Sequence, residues 1–156
     1  MEERNEIFDA HLVTEVELIY KNPLKPSQRP QVTTSKAAYE IFYNTWDKDK
    51  IELLEQFKIM LLNRANKVLG IFIISTGGIT ATVVDIRLIF AAAIKANATS
   101  ILLAHNHPSG ATNPSVADKQ ITEKIVSAGK ILDISVFDHL IITKHGYFSF
   151  ADNGLL

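Results

Sequence analysis

The sequence predicts a single α/β or α+β domain built around a mixed β-sheet. The chain has 156 residues, a length that suits one domain better than two. Apolar residues make up 47% and charged residues 21%, close to the averages of soluble globular chains, so disordered, collagen-like and coiled-coil proteins are excluded. Apolar runs of strand length and segments of helical period follow one another without strict alternation, which is typical of a mixed sheet.

The first third of the chain is predicted to contain one strand and one long helix. Apolar and polar residues alternate over residues 14–20, which is the pattern of a strand with one solvated face. Three prolines in residues 21–31 predict a surface loop. Candidate N-cap residues at 33–35 precede a helix over residues 36–46, and a charged turn leads into a short helical stretch over residues 51–56.

The middle of the chain is predicted to form a hairpin, a short strand and a helix. Two apolar runs, residues 57–63 and 68–75, are joined by four polar or small residues and indicate a hairpin of largely buried strands. A glycine pair then leads into a short third strand over residues 79–84. Asp85 is the predicted N-cap of a helix over residues 86–96.

The remaining elements follow a loop that is rich in histidine, proline and glycine. A buried strand over residues 99–104 precedes this loop, which covers residues 105–114. The next helix is predicted to end near Gly129, because glycine suits the left-handed residue that often terminates a helix. Three short strands complete the prediction, at residues 134–136, 139–143 and 147–150.

Charge and cysteine content exclude several classes of function. The 16 basic and 17 acidic residues give a formal net charge of −1, so no overall positive field favours nucleic acid or an anionic membrane. The absence of cysteine excludes disulfide scaffolds, cysteine-ligated zinc, iron–sulfur clusters and thiol catalysis. There is no run of about 18 apolar residues, and the N-terminus is acidic, so we expect a cytoplasmic protein without a membrane partner.

One segment carries a pattern of candidate metal ligands. His105 and His107 lie two residues apart at the end of a predicted strand, so their side chains should point the same way. Asn113 and Pro114 then predict the cap and first turn of a helix, with Asp118 close to its start. Two nitrogens and one carboxylate oxygen form a three-ligand set, around which zinc keeps a fourth position for water, as in catalytic sites.

Other interpretations of this segment remain open. The spacing of Ser115 and Asp118 also fits a capping box, and the two histidines could be a hydrogen-bonded loop anchor. An iron oxygenase with two histidines and one carboxylate is chemically possible. A barrel amidohydrolase would need about 250 residues. Zinc deaminases require a glutamate two residues after the first ligand and two cysteines, which this chain lacks.

The same residues resemble the JAMM motif of the JAB/MPN metalloproteases. The matching positions are His105, His107 and Pro108, then Ser115 after six residues and Asp118 after two more. The sequence around the histidines, from Ala104 to Gly110, is similar to that of the RadC branch of the family, and so is the later pair Asp138 and His139. The resemblance covers residues 33–156 and leaves residues 1–32 as an N-terminal strand and proline-rich connecting segment. It implies a curved mixed β-sheet flanked by helices, close to the cytidine deaminase architecture.

The resemblance also implies a set of site residues. It implies that His105, His107 and Asp118 bind Zn²⁺ and that Ser115 helps to stabilise the tetrahedral intermediate. The upstream glutamate that activates the zinc-bound water in this family corresponds to Glu55, which without the resemblance would be interpreted as a solvated residue at a helix end. His139 is interpreted as a structural hydrogen-bonding residue, with orientation of a ligand histidine as the alternative.

Three functions from different classes follow from these observations. The first is a zinc hydrolase that cleaves a peptide or isopeptide bond of an unidentified peptide or protein substrate. The second is a DNA-repair-associated role, as the RadC name suggests. RadC-like proteins commonly carry an N-terminal region resembling a helix–hairpin–helix module, and this chain begins differently, so nucleic acid is not the expected partner. The third is a non-catalytic interaction module.

Overall fold

The computed structural model of the chain describes residues 16, 17, 19–78 and 82–156. Within this part there are three α-helices and five β-strands. The helices are α1 (Ser35–Thr45), α2 (Ile86–Lys95) and α3 (Val116–Ile131). The strands are β1 (Gln56–Leu62), β2 (Val68–Thr76), β3 (Ser100–Asn106), β4 (Ser135–Thr143) and β5 (Gly146–Ser149). None of the three helices has both the length and the apolar character needed to cross a membrane.

The strands form one mixed sheet, as predicted. Their order is β2-β1-β3-β4-β5, with β3 in the centre. β3 and β4 are parallel, and the other neighbouring strands are antiparallel. A parallel pair needs a crossover connection, and α3 provides it. The carboxyl end of β3 therefore lies next to the start of α3.

Alternation along the central strands assigns side chains to two cores. Ile59 and Leu103 pack in the core that α2 and α3 cover, whereas Met60 and Leu102 pack in the core that α1 covers. Successive side chains of a strand point to opposite faces of the sheet. His105 consequently lies on the face of α2 and α3, where its ring stacks on that of Phe57 at a centroid distance of 6.1 Å.

Several predicted elements are confirmed by local hydrogen bonds. β1 and β2 form the predicted hairpin, and its turn is closed by Asn63, whose side-chain oxygen accepts from the backbone N–H groups of Ala65 and Lys67. Thr34 caps α1 by accepting from Ala37, and Asp85 caps α2 as predicted. Short polar side chains at these positions satisfy N–H groups that the first helical turn leaves free.

Four strand and helix predictions differ from the structure or lie partly outside the described residues. Residues 51–54 form a hydrogen-bonded turn rather than a helix, since the chain enters β1 at Gln56. The two predicted strands at 134–136 and 139–143 form one strand, β4. Phe137 is an extra residue in its pairing with β3, and this register shift interrupts the alternation of apolar and polar residues. The predicted strand at 79–84 lies partly outside the described residues, and residues 82–84 form no strand. The predicted strand at 14–20 also lies partly outside them, and its described members form none.

The predicted helix end at Gly129 is also wrong. α3 continues to Ile131, and the left-handed residue is Asp133, with φ 55°. The N–H of Ile134 donates to the carbonyl of Gly129 at 2.9 Å as the chain reverses towards β4. A Cβ at Gly129 would lie 2.4 Å from the carbonyl oxygen of Ile134. Glycine is therefore required for a close backbone approach and not for positive φ.

We expect Gly129→Ala to lower the free energy of unfolding by about 1–3 kcal/mol, the usual cost of forcing extra volume into a packed site. Alanine is intrinsically the better helix former by about 1 kcal/mol, so a loss would identify the steric contact as the dominant effect. Urea unfolding measures the change, with Ser127→Ala on the exposed side of α3 as the control. A Gly129→Ala protein as stable as the control would contradict the close approach.

Lys58 is a buried cation within the apolar strand β1. Its side chain is only 3% exposed, and its ammonium group donates to the carbonyl of Thr45 at 3.0 Å, at the end of α1. The same nitrogen lies 4.1 Å from the centroid of the Trp46 ring. Burial, with a smaller contribution from Lys48, lowers the pKa of Lys58 from 10.5 to about 8.

The lowered pKa of Lys58 makes stability depend on pH. Between about pH 8 and 10.5 the unfolded chain retains a proton that the folded chain has released, so the free energy of unfolding should rise with pH over this window. We expect the wild type to gain about 1–3 kcal/mol across the window relative to Lys58→Met, which keeps the unbranched side chain without the charge. Urea unfolding of both proteins at each pH tests this, and a difference independent of pH would contradict it.

Candidate metal centre

The junction between β3 and α3 brings together the three predicted ligand residues. His105 is the next-to-last residue of β3, His107 directly follows the strand, and Asp118 is in the first turn of α3. His105 Nε2 lies 3.2 Å from Asp118 Oδ1, and His107 Nε2 lies 3.5 Å from Asp118 Oδ2. The two Nε2 atoms are 3.0 Å apart. One ligand atom from each residue lies within 4.8 Å of the others, so this group could hold a metal ion.

These separations fit a tetrahedral ion. With bonds of about 2.0–2.1 Å, neighbouring ligands around a tetrahedral zinc ion are about 3.3 Å apart. His107 also has the required tautomer, because its Nδ1 lies 2.7 Å from the carbonyl oxygen of Ala111, which can only accept a hydrogen bond. The proton of neutral His107 is therefore on Nδ1, and the lone pair of Nε2 faces the other two ligand atoms.

The contacts among these three residues also shift the pKa values of Asp118 and His107. Burial alone would raise the pKa of Asp118, but close contact with His105 and His107 in their protonated forms holds it well below its usual range. When His107 is protonated, its Nε2–H can donate to Asp118, which raises the pKa of His107 against the opposing effect of burial, and the charge of Glu55 adds a smaller effect of the same sign. An ionised carboxylate beside two imidazoles is a donor set suited to a divalent cation.

Ser115 and Asp118 form the capping box of α3. The N–H of Asp118 donates to Ser115 Oγ at 3.1 Å, and the N–H of Ser115 donates to Asp118 Oδ2 at 2.7 Å. The predicted cap at Asn113 is wrong, because this reciprocal pair starts the helix at Val116. Asp118 caps the helix through Oδ2 while Oδ1 faces His105, so the two interpretations of its role are compatible.

Glu55 lines the same cleft as the three candidate ligands, close to the start of β1. It is half-buried, and its backbone is held by two hydrogen bonds, from its N–H to Gly78 and from the N–H of Gly77 to its carbonyl. The interpretation of Glu55 as a residue at a helix end is wrong, because residues 51–54 form a turn. Ser115 also lines this cleft, which has a volume of about 730 Å³.

Asn106 is a site residue that sequence reasoning missed. It is fully buried on the face of the sheet opposite to the histidines, where its side-chain NH₂ donates to the carbonyls of Ile51 and Leu54 at 2.7 and 2.8 Å. Its oxygen accepts from the N–H of Gln56 at 2.7 Å. Asn106 thus attaches the segment that carries Glu55 to the strand that carries His105. The sequence feature that could have identified Asn106 is a polar residue at an inward-facing position of a buried strand.

Asn106→Ala should separate the effects of Glu55 placement from those of metal binding. Loss of three buried hydrogen bonds should reduce the free energy of unfolding by about 2–3 kcal/mol. With the role for Glu55 that the family resemblance implies, its misplacement should lower any hydrolytic rate about 10–100-fold, while metal content should stay unchanged. Asn63→Ala is the matched control, since it removes turn hydrogen bonds far from the cleft. Equal rates for the two variants would show that Asn106 does not position Glu55.

Comparisons with known proteins place the chain in a family. Residues 32–155 match the model of the RadC-like JAB domain. The chain is 52% identical over 101 residues to a UPF0758 protein of Flavobacterium johnsoniae, a match covering 65% of this chain and 44% of that protein. It is 40% identical over 136 residues to a UPF0758 protein of Porphyromonas gingivalis, covering 84% of this chain and 59% of that protein.

The chain therefore spans about half the length of the curated relatives it matches. The family model covers nearly all of the described residues, including β1, which follows Glu55, and the junction between β3 and α3. The names of these relatives give no activity. The match and the fold together show that the chain belongs to the RadC-like JAB domain family.

Proposed function

We propose that this domain is a zinc-dependent hydrolase of the JAMM type that cleaves a peptide or isopeptide bond. The observation that carries the proposal is the convergence of two imidazole nitrogens and one carboxylate, 3.0 to 3.5 Å apart, in a cleft that Glu55 and Ser115 also line. Sites that only stabilise a fold use four protein ligands, whereas three ligands and an open position are typical of catalytic zinc.

Each residue of the cleft has a distinct chemical role in this proposal. A zinc ion bound by His105, His107 and Asp118 would supply Lewis acidity, which lowers the pKa of water and polarises a carbonyl group. Glu55 accepts the proton of the attacking water and delivers it to the leaving amine. The hydroxyl of Ser115, which already accepts from the N–H of Asp118, has its own proton available to donate to the carbonyl oxygen as negative charge develops there.

The lining of the cleft suits a peptide substrate. Its walls combine the apolar side chains of Phe57, Val84 and Ile121 with the carboxylates of Glu52 and Glu55. Open clefts with apolar walls and a few polar groups are typical of sites that bind a substrate through its backbone and side chains. The balanced net charge of −1 offers no general attraction for nucleic acid, so a peptide or protein substrate suits the cleft better.

A cleavage screen tests this proposal. The zinc-loaded protein is incubated with a broad library of peptides and lysine-linked isopeptides, and new termini are identified by mass spectrometry. We expect cleavage that stops on chelation and returns when zinc is added back. Zinc binding without cleavage of any library member would instead assign the domain to the non-catalytic interaction modules.

A further inference from the structure

His139 is a fully buried polar residue that the proposed chemistry does not use. It lies on β4 beside Leu103 of β3, with its ring stacked on Phe150 and edge-on to Phe57. Both of its ring nitrogens have partners. Nε2 lies 2.8 Å from His105 Nδ1, and Nδ1 lies 2.6 Å from Thr122 Oγ1. Its neighbour Asp138 instead accepts hydrogen bonds from Ser149 and Ala151.

The next group along this path is the backbone of a candidate metal ligand. Thr122 is buried, and its Oγ1 lies 2.5 Å from the carbonyl oxygen of Asp118, one turn earlier in α3. The contacts therefore run from His105 through His139 and Thr122 to Asp118, whose carboxylate faces His105 again. Two candidate ligands from different elements, β3 and α3, are joined by this closed path of contacts.

The carbonyl at the end of the path determines where each proton lies. A carbonyl oxygen only accepts, so the single hydroxyl proton of Thr122 is donated to Asp118. His139 Nδ1 must then carry a proton and donate it to Thr122. A neutral His139, which full burial favours, has no second proton, so its Nε2 accepts from His105 Nδ1. This leaves Nε2 of neutral His105 with its lone pair directed at the candidate metal position.

We propose that His139 and Thr122 are positioning residues that fix His105 in the tautomer required for metal binding. The inference rests on the proposed metal site and adds residues that hold it. Such supporting partners orient the ligand ring and select the ligating nitrogen. The final acceptor here is a carbonyl and not a carboxylate, so the path orients His105 without adding negative charge. A bound zinc ion would therefore retain more of its Lewis acidity.

Two variants and one conservative control test this inference. Thr122→Val keeps the shape of the side chain but removes the hydroxyl, and His139→Phe keeps an aromatic ring beside Phe150. Thr122→Ser keeps the hydroxyl. Zinc affinity is measured by competition with a chelator, and the Co²⁺-loaded proteins are compared by their visible spectra. We expect a loss of affinity of about 10–100-fold for the first two and of less than about 2-fold for the serine variant.

A second readout works without any metal. NMR of the imidazole nitrogens at alkaline pH, where the histidines are neutral, reports the tautomer of His105 directly. We expect the Nδ1-protonated form in the wild type and in Thr122→Ser, and a mixture of tautomers in Thr122→Val and His139→Phe. Loss of stability in these two variants with unchanged tautomer and zinc affinity would overturn the inference, because a purely structural role predicts that result.

The outcome separates this inference from the proposed function. A wild type that binds zinc but cleaves nothing would end the hydrolase proposal, while the affinity series would still decide the role of His139 and Thr122. If the wild type bound no zinc, the tautomer of His105 would decide it. If His139→Phe did not fold, the comparison of valine with serine at position 122 would carry the test.

Discussion

Replacing Glu55 by glutamine is expected to reduce the rate of hydrolysis by a factor of about 10²–10⁴ without loss of zinc, since a general base typically contributes that much. Glutamine has nearly the shape of glutamate, and its neutral amide cannot accept a proton at neutral pH. Glu55 lies outside the three-residue group that could hold the metal, so the metal content should not change. Rates on a cleaved peptide and metal analysis of the same samples provide the two measurements.

A second glutamate in the cleft supplies the control for this prediction. Glu52 also lines the cleft, but it is exposed and pairs with Lys144 at 3.2 Å. Glu52→Gln removes the same charge from the same cleft, so a general electrostatic effect would slow both variants equally. A wild-type rate for Glu55→Gln would exclude Glu55 as the base, whatever the metal content.

His107→Ala is expected to abolish zinc binding at micromolar concentrations and with it all hydrolysis. Removing one of three ligands should cost more than the about 10–100-fold that loss of a supporting residue costs. Zinc that binds only the folded state would stabilise the wild type by about 4 kcal/mol at a thousand times the Kd, and we expect this stabilisation to vanish in the variant. Thermal unfolding with and without zinc measures it.

His145→Ala is the matched control for this second prediction. His145 is an exposed histidine between β4 and β5, so its removal tests whether zinc acts at any accessible imidazole. The control should keep the full zinc-dependent rise in Tm. If His107→Ala retained the same rise, the ion would be bound elsewhere and the assignment of His107 as a ligand would be wrong.

Local patterns predicted the parts of the fold that local contacts determine. The hairpin of β1 and β2 and the caps at Thr34 and Asp85 depend on residues a few positions apart, and all three are confirmed. The helix end near Gly129 was wrong because the glycine is needed for contact with Ile134 across the chain reversal. The turn at residues 51–54 is held by Asn106, about fifty residues away.

The candidate site likewise contains residues that local sequence patterns predict and residues that only the folded structure brings together. The spacing of His105, His107 and Asp118 was enough to propose a ligand set, because strand alternation and a helix start place these residues predictably. Glu55 could be proposed only through the family resemblance, since no local pattern connects it to the histidines. The partnership of His139 with Thr122 is invisible in the sequence, because it depends on how α3 packs against β4.

Metal analysis of the wild-type protein tests the central claim most directly. The protein is purified, stripped with a chelator, supplied with zinc and examined by elemental analysis and X-ray absorption. We expect about one zinc per chain, with only nitrogen and oxygen neighbours at about 2.0–2.2 Å, since the sequence contains no cysteine. A protein that binds no metal when zinc is supplied in excess would contradict the metal centre and the hydrolase proposed from it.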